Sequence, residues 1–511
     1  SEGKTWKRAK GGYGNQTVVK PVEGSVKLVE GTPQQEAIWK ELVEGKRHII
    51  VKALAGTGKT FTVLQGLHRL ANAGLRNVAF IAFNKSIANE LQQKVPHWVK
   101  ASTCHSLMYR ALQGAMGRLN VNADRSMRFL EDAVGGEDEM FRLRRENPAV
   151  ISNTVKLVGL AKNTLAGYDC ESQEWVGVTD DELDQLVVNY SLELNGSAEM
   201  VYKLVKMVVE WSLDVERSMR EIDYDDQLWL PVVHNIQLPL HDLLCVDECQ
   251  DLNRVQQEAI LRMGSRLMLV GDENQAIYGF RGADIESMSR MESSLGGDKK
   301  GVAVLPLTYT RRCPKSHVKL AAEIVPGFEA LPEAPEGSVQ TLELEKAIVT
   351  MGEGDLAVCR TNAPVVSAAF RLLKAGVRAN IQGRDLGQGL LALVRKLNRG
   401  SLEGSIDLLL ERLEDYRAKE VARIYKKKFP SEAQAQALND KCDCVLALCN
   451  GAASIEEVVQ RVEKLFLDAG NDGSRNFVLL SSVHRAKGLE AERVFVLEPE
   501  MMPHPMAKSD A

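Results

Sequence analysis

Short apolar runs at His48–Ala53, Val78–Phe83, Leu243–Asp247 and Leu267–Val270 each pass directly into a loop of Gly, Asn, Asp or Gln. Runs this short and this continuously apolar predict strands buried on both faces, as in a parallel sheet covered by helices. Ligands of such sheets gather at the carboxyl ends of the strands. From about Ala111 to Glu221 the strand pattern fades, and Val201, Leu204, Val205, Val208 and Val209 recur at helical spacing. That stretch predicts a helical insertion. A second alternation of strands and helices is expected to begin near Leu305. It continues through Leu356–Cys359, Val377–Gln382 and Phe477–Leu480, and a helix-rich stretch over residues 401–469 interrupts it. Pro332, Pro335 and Gly337 predict a surface loop. The fold class is α/β, with two parallel-sheet lobes and a helical insertion in the first.

Composition narrows the picture only slightly. At 511 residues the chain is long enough for several cores, and 44% apolar with 26% charged residues is ordinary for a globular protein. No run of about 18 apolar residues is present, so no membrane partner is expected and the protein is read as cytoplasmic. Residues 1–24 are polar and basic (Trp6, Lys7, Arg8, Lys10) without an apolar core, and read as a flexible N-terminal arm rather than a signal peptide, either a tail left by processing or cloning or an arm that touches a phosphate backbone. A net charge of −5 offers no global attraction for nucleic acid, so any such binding needs local grooves and stacking residues. The nine cysteines are scattered, which suits a reducing compartment. Cys442, Cys444 and Cys449 cluster, but three thiols in an Ala/Leu-rich helical stretch make a poor zinc site.

The chemistry enters with Ala53-Leu-Ala-Gly-Thr-Gly-Lys-Thr60, directly after the first strand. A glycine-rich turn lets backbone N–H groups point at phosphate oxygens, and the following helix adds its N-terminus. Ala55, Gly56, Thr57 and Gly58 would cradle the phosphates, Lys59 would neutralise them, and Thr60 would ligate Mg²⁺. Downstream, Leu243-Leu-Cys-Val-Asp-Glu-Cys-Gln-Asp251 delivers two carboxylates at a strand end. Asp247 would hold the hydrated metal and Glu248 would orient and deprotonate the attacking water, the division of labour that ATP hydrolysis needs.

The block Leu269-Val-Gly-Asp-Glu-Asn-Gln-Ala-Ile-Tyr-Gly-Phe-Arg-Gly-Ala283 resembles motif III of the superfamily 1A helicases, the UvrD/Rep/PcrA-like group. Further motifs flank it in the family's order. Thr32-Pro-Gln-Gln35 resembles the motif that reads adenine, with Gln35 favoured over Gln34 by spacing. Ala82-Phe-Asn-Lys-Ser86 resembles motif Ia and Ser102-Thr-Cys-His-Ser106 motif Ib. Ile222-Asp-Tyr-Asp-Asp226 resembles the element before the carboxylate strand, Leu307–Pro314 resembles motif IV, and Ser482–Glu490 resembles motif V.

This resemblance implies two RecA-like lobes that close on ATP and step along single-stranded DNA, from 3′ to 5′, up to duplex junctions. It implies that Gln275 senses the γ-phosphate, that Arg312 reaches the same phosphate, and that Gly488 and Glu490 approach the nucleotide. It also implies that Phe83, Asn84, Thr103, His105, Tyr278, Phe280, Arg281 and His484 line the nucleic-acid path. Core packing is the competing reading for Tyr278 and Phe280, and a structural hydrogen bond the competing reading for His105. Lobe 1A is expected over 25–110 and 222–304, a 1B-like insertion over 111–221, and lobe 2A over 305–511 with a short 2B-like insertion over 388–475. Replication or repair proteins are the expected partners.

Three departures stand out. Arg311 occupies the position where the family has an adenine-stacking Tyr, and a guanidinium also stacks on a base. Cys249 replaces a small Ala. No motif VI-like run follows Glu490 before Ala511, so the sequence is expected to be part of a longer protein. Two other functions share these motifs: an RNA- or hybrid-directed motor, and an ATP-binding switch with little turnover.

Overall fold

A computed structural model describes residues 28–70, 75, 77–190, 192, 194, 197–276, 286–296, 301–398, 404–426, 432–466 and 476–502. These fall into two compact units. The first runs to Arg125 and continues through Lys162–Gly177 and Ser212–Gly337. The second comprises Ser126–Ala161, Val178–Trp211 and the chain from Ser338.

The first unit is built on six strands: β1 (His48–Ala53), β2 (Val78–Ala82), β3 (Val99–Thr103), β4 (Leu243–Val246), β5 (Leu267–Gly271) and β6 (Val302–Leu307). Their order is β6-β1-β5-β4-β2-β3, and every pairing is parallel. The sequence explains the placement. β2, β4 and β5 are buried at every position, as continuous apolar runs require, whereas the edge strands β3 and β6 carry partly exposed residues. Helices α1 (Pro33–Glu44), α2 (Lys59–Arg69), α3 (Lys85–Lys94) and α4 (Cys104–Met116) cover this sheet's connections. Ile38, Leu42, Val63 and Leu67 share one core cluster with Ile49, Val51, Phe80 and Val270.

One expectation is corrected here. The second lobe was expected to begin near Leu305, but the strand Val302–Leu307 that spans this position is the edge strand of the first sheet, paired with β1 from His48↔Val302 to Ala53↔Leu307. An apolar run states that a strand is buried but not which sheet it joins. The first unit ends instead in the loop marked by Pro332, Pro335 and Gly337.

Between α4 and β4 the chain is mostly helical, with helices at Arg125–Val134, Glu137–Glu146, Pro148–Thr164, Asp180–Asn189 and Ala198–Ser212. Within the first unit, Arg125 and Lys162 converge on the Ile222–Asp226 segment. Arg125 Nη1 lies 2.7 Å from Asp226 Oδ2, and Lys162 Nζ lies 2.7 Å from Asp226 Oδ1 and 2.9 Å from Asp223 Oδ2. These charges are almost wholly buried, so removing one partner alone would cost about 3–5 kcal/mol.

The second unit carries a four-stranded parallel sheet of β7 (Leu356–Cys359), β8 (Ala379–Ile381), β9 (Val478–Ser482) and β10 (Val494–Val496), in the order β8-β9-β7-β10. Helices Arg384–Leu397, Ile406–Tyr425, Glu432–Cys449 and Ile455–Phe466 lie in the stretch between β8 and β9. Cys442, Cys444 and Cys449 are buried in this unit's apolar core with Leu409, Leu413 and Val462. Among the described residues no helix is long and apolar enough to cross a membrane, and no cluster of three or more His, Cys, Asp or Glu could hold a metal.

Candidate nucleotide and nucleic-acid site

Because all six strands of the first sheet run parallel, their carboxyl ends share one edge. Four of them, in the spatial order β6-β1-β5-β4, bring together residues far apart in sequence.

At the end of β1 the chain turns through Leu54–Gly58, and α2 starts at Lys59. Gly56 (φ 68°) and Gly58 (φ 81°) adopt left-handed backbone, which glycine does without steric cost. A Cβ on Gly56 would lie 2.6 Å from Arg312 Cβ and 2.7 Å from Thr310 Oγ1, so the loop passes beneath the segment after β6 only as glycine. The Arg311 N–H donates to the Gly56 carbonyl (2.8 Å), and Thr57 Oγ1 donates to the Leu54 carbonyl (2.8 Å). Ala55 follows Leu54 in this turn.

β4 delivers Asp247 and Glu248. The Thr60 hydroxyl donates to Asp247 Oδ2 at 2.5 Å, and Lys59 Nζ lies 3.0 Å from Glu248 Oε2. Burial pushes the Asp247 carboxyl up to about 6. The Glu248 charge adds to this, while Thr60 and Lys59 oppose it. Glu248 itself sits at φ 53°, ψ 42°, a left-handed conformation that costs a non-glycine residue on the order of 1 kcal/mol. Such strain persists where surrounding contacts hold it. Here Gln250 Nε2 donates to Glu248 Oε2 (2.6 Å), and the Glu248 N–H donates to Asp247 Oδ1 (3.0 Å).

Gln250 extends the array to β5, because its Oε1 accepts from the Asp272 N–H at 3.0 Å. Gly271 makes that approach possible: a Cβ there would meet Gln250 Oε1 at 2.6 Å and Cys249 Sγ at 2.8 Å. Asp272 in turn accepts from Gln275 Nε2 (2.7 Å) and from the Asn274 N–H (3.0 Å), and burial raises its carboxyl above the usual range. Gln250 and Gly271 were not singled out from sequence, although both lie inside motifs that were; Thr310, packed against Gly56, also escaped.

On the other side of β1, Gln35 is buried at the start of α1. Its Nε2 donates to Thr62 Oγ1 (3.0 Å), and its Oε1 accepts from the Thr32 N–H (3.0 Å) and from Arg311 Nη2 (3.3 Å). Gln34 instead pairs with Thr308 through Nε2 to Oγ1 (2.9 Å) and Oε1 from the N–H (2.8 Å). Gln35 is therefore the one of the two bonded to α2 and Arg311.

The arrangement suits a magnesium–nucleotide complex. Thr60 and Asp247 offer adjacent oxygen donors, the ligand type that Mg²⁺ takes, and a buried carboxylate gains from a cation beside it. Lys59 and the first N–H groups of α2 supply positive charge where phosphates would lie.

Candidate nucleic-acid residues occupy the remaining strand ends, at β2 and β3. Phe83 is half-exposed, and Asn84 caps α3, its Oδ1 accepting from the Ile87 N–H (2.9 Å). Thr103 caps α4 through the Ser106 N–H (3.2 Å) and donates to Ser106 Oγ (3.1 Å). Burial lowers the His105 pKa, favouring its neutral form. Tyr278, Phe280 and Arg281 lie outside the described residues. His484, Gly488 (φ 86°) and Glu490 belong to the second unit, after β9. Burial and the Arg360 charge lower the His484 pKa.

A parallel sheet with a phosphate loop after its first strand and paired carboxylates after another defines a P-loop nucleotide-binding protein of RecA-like type. Within that class, residues 32–296 match the UvrD/REP helicase N-terminal domain, and the chain belongs to this family. It is similar to F-box DNA helicase 1 of Gallus gallus, 28% identical over 269 residues, which are 51% of this chain and 25% of that protein. It is also similar to ATP-dependent DNA helicase PcrA of Bacillus subtilis (strain 168), 27% identical over 313 residues, 57% of this chain and 39% of the relative. F-box DNA helicase protein 1 of Schizosaccharomyces pombe is 26% identical over 244 residues, 46% of this chain and 26% of that protein. The matched region thus spans a quarter to two-fifths of these curated relatives.

Proposed function

We propose that the chain is the motor of an ATP-dependent DNA helicase, which couples hydrolysis to movement along single-stranded DNA and to opening of duplex junctions. The observation that carries this reading is the convergence of Lys59 and Thr60 on Glu248 and Asp247 across 189 and 187 residues of sequence. Lys59 exchanges its contact with Glu248 for the β- and γ-phosphates, which frees Glu248 to accept a proton from the attacking water. Thr60 and Asp247 would hold Mg²⁺, which would neutralise phosphate charge there. Gln275, tied to Asp272 and through Gln250 to Glu248, reports the state of the γ-phosphate to the strand ends beyond. Arg312 supplies a cation to the transferring phosphate, and the family resemblance gives Gly488 and Glu490 a role in nucleotide binding. Phe83, Asn84, Thr103, His105 and His484 contact the nucleic acid, joined by Tyr278, Phe280 and Arg281. The 3′-to-5′ direction is taken from the family resemblance.

The stretch over 111–221 serves as a 1B-like insertion and that over 388–475 as a short 2B-like one. The protein works inside the cell, in the cytoplasm or on the nucleoid or a viral replication complex, with replication or repair proteins as partners.

Steady-state ATP hydrolysis with and without single-stranded DNA tests the proposal, with RNA in parallel. DNA is expected to stimulate turnover, and Glu248→Gln to lower it by about 10²–10⁴-fold while ATP still binds. ATP binding without stimulation by either nucleic acid would sink the motor and leave a switch, and stimulation by RNA alone would redirect it.

A further inference from the structure

The helix Pro148–Thr164 belongs to the first unit only in its last turn, from Lys162. Lys162 bonds Asp223 and Asp226, whereas its neighbour Asn163 reaches toward the catalytic turn. Asn163 Nδ2 donates to Asp225 Oδ1 (3.1 Å), and Asn163 Oδ1 accepts from Asn253 Nδ2 (2.6 Å). Asn253 stands just past the turn Cys249–Asp251 and caps the helix Arg254–Met263. Its Oδ1 accepts from the Gln256 N–H (2.9 Å), and its own N–H donates to Gln256 Oε1 (3.0 Å), which leaves the amide nitrogen for Asn163. An ionised carboxylate accepts and cannot donate, so Asp225 sets the order of the relay: each amide gives its nitrogen to the group before it and its oxygen to the group after. The far end of the same helix is tied to the same stretch of chain, because Arg262 Nη2 donates to Tyr168 Oη (2.7 Å).

We propose that Asn163 is a positioning residue for ATP hydrolysis: by holding Asn253 it fixes the chain past Glu248 and so keeps the general base in its strained conformation. The proposal rests on the motor reading given above. Glu248 sits at φ 53°, and such backbone persists only where the structure on both sides holds it. On the near side the buried strand β4 does so. On the far side Asn253 is tied to Asn163, and the partner of Asn163, Asp225, adjoins Asp226 with its buried cations Arg125 and Lys162. The relay thus anchors the turn that carries Glu248 to the buried charges of the first unit. A group that acts through Glu248 changes the chemical step and leaves ATP binding alone.

Steady-state ATPase with single-stranded DNA present, beside thermal melting of each variant, tests the relay. Asn253→Ser keeps a capping oxygen for the Gln256 N–H but removes the nitrogen that reaches Asn163. It is expected to lower kcat about tenfold, at unchanged KM for ATP and unchanged melting temperature. Asn163→Asp removes the donor to Asp225 at nearly constant shape and should lower kcat in the same way. Adding Asp225→Asn to Asn163→Asp exchanges donor and acceptor, conserves the charge of the cluster, and should recover most of the lost kcat. Unchanged kcat in both single variants would overturn the proposal while leaving the motor standing. A fall in kcat matched by a lower melting temperature in Asn253→Ser, or a double variant no faster than Asn163→Asp, would overturn it in favour of a packing role. A wild-type chain that binds ATP without stimulated turnover would bring down the motor and the relay together.

Discussion

The two halves of the first sheet's edge are built on opposite principles. At β6, β1, β5 and β4 the side chains meet across long sequence separations and at an energetic cost: a buried carboxylate with a raised pKa, a left-handed glutamate, and glycines wedged under neighbouring atoms. At β2 and β3 the candidate residues bond within one helical turn, as N-caps that stabilise α3 and α4. Costly, long-range convergence is what a catalytic centre needs, since strain and desolvation persist only where the fold over-determines them. Local caps need no function to explain them, so the nucleic-acid role of Asn84 and Thr103 requires an experiment that leaves the cap intact.

The largest expected effect concerns the cost at Asp247. Its folded-state pKa lies near 6, above the ordinary value of 3.8. This group therefore favours the folded state most below about pH 3.8, and the benefit is lost as pH rises through 6. Metal-free Asp247→Asn should accordingly be more stable than wild type at pH 7, by up to about 3 kcal/mol, with the difference fading toward pH 4. Denaturant melts in chelator across that range check it; equal stability at pH 7 would show that the nucleotide half is not costly.

Next is Gln250→Ala, which removes the contacts to both Glu248 and Asp272. It is expected to lower kcat about tenfold with little change in KM for ATP, because it positions Glu248 rather than binding substrate. A rise in KM alone would place Gln250 in ground-state binding instead.

The smallest effect sharpens the other half. Asn84→Ala should cost roughly 1 kcal/mol of stability through the lost cap, whereas Asn84→Asp should keep it. If Asn84 faces the phosphate backbone, the aspartate variant will fold normally yet require more DNA for half-maximal ATPase stimulation. Unaltered DNA dependence in Asn84→Asp would reduce Asn84 to its cap.

Much of this was legible along the chain. The β1 and β7 runs, His48–Ala53 and Leu356–Cys359, were delimited residue for residue, because a mainly apolar run must stop where loop chemistry begins, even though β1 also carries the partly exposed His48 and Lys52. The phosphate loop and the carboxylate pair were equally plain, since each is a contiguous string whose residue types follow from its task. Spacing also separated Gln35 from Gln34, and the structure places the two amides against different elements.

What the sequence by itself determined, then, is the set of local elements and the identity of the nucleotide-binding strings, because these are encoded by neighbours along the chain. Only the tertiary structure decided that Val302–Leu307 closes the first sheet rather than opening a second, and that Gln250 bridges Glu248 to Asp272. Strand order and cross-element contacts are long-range quantities: an apolar run pairs equally well with any parallel neighbour until the rest of the core is packed around it.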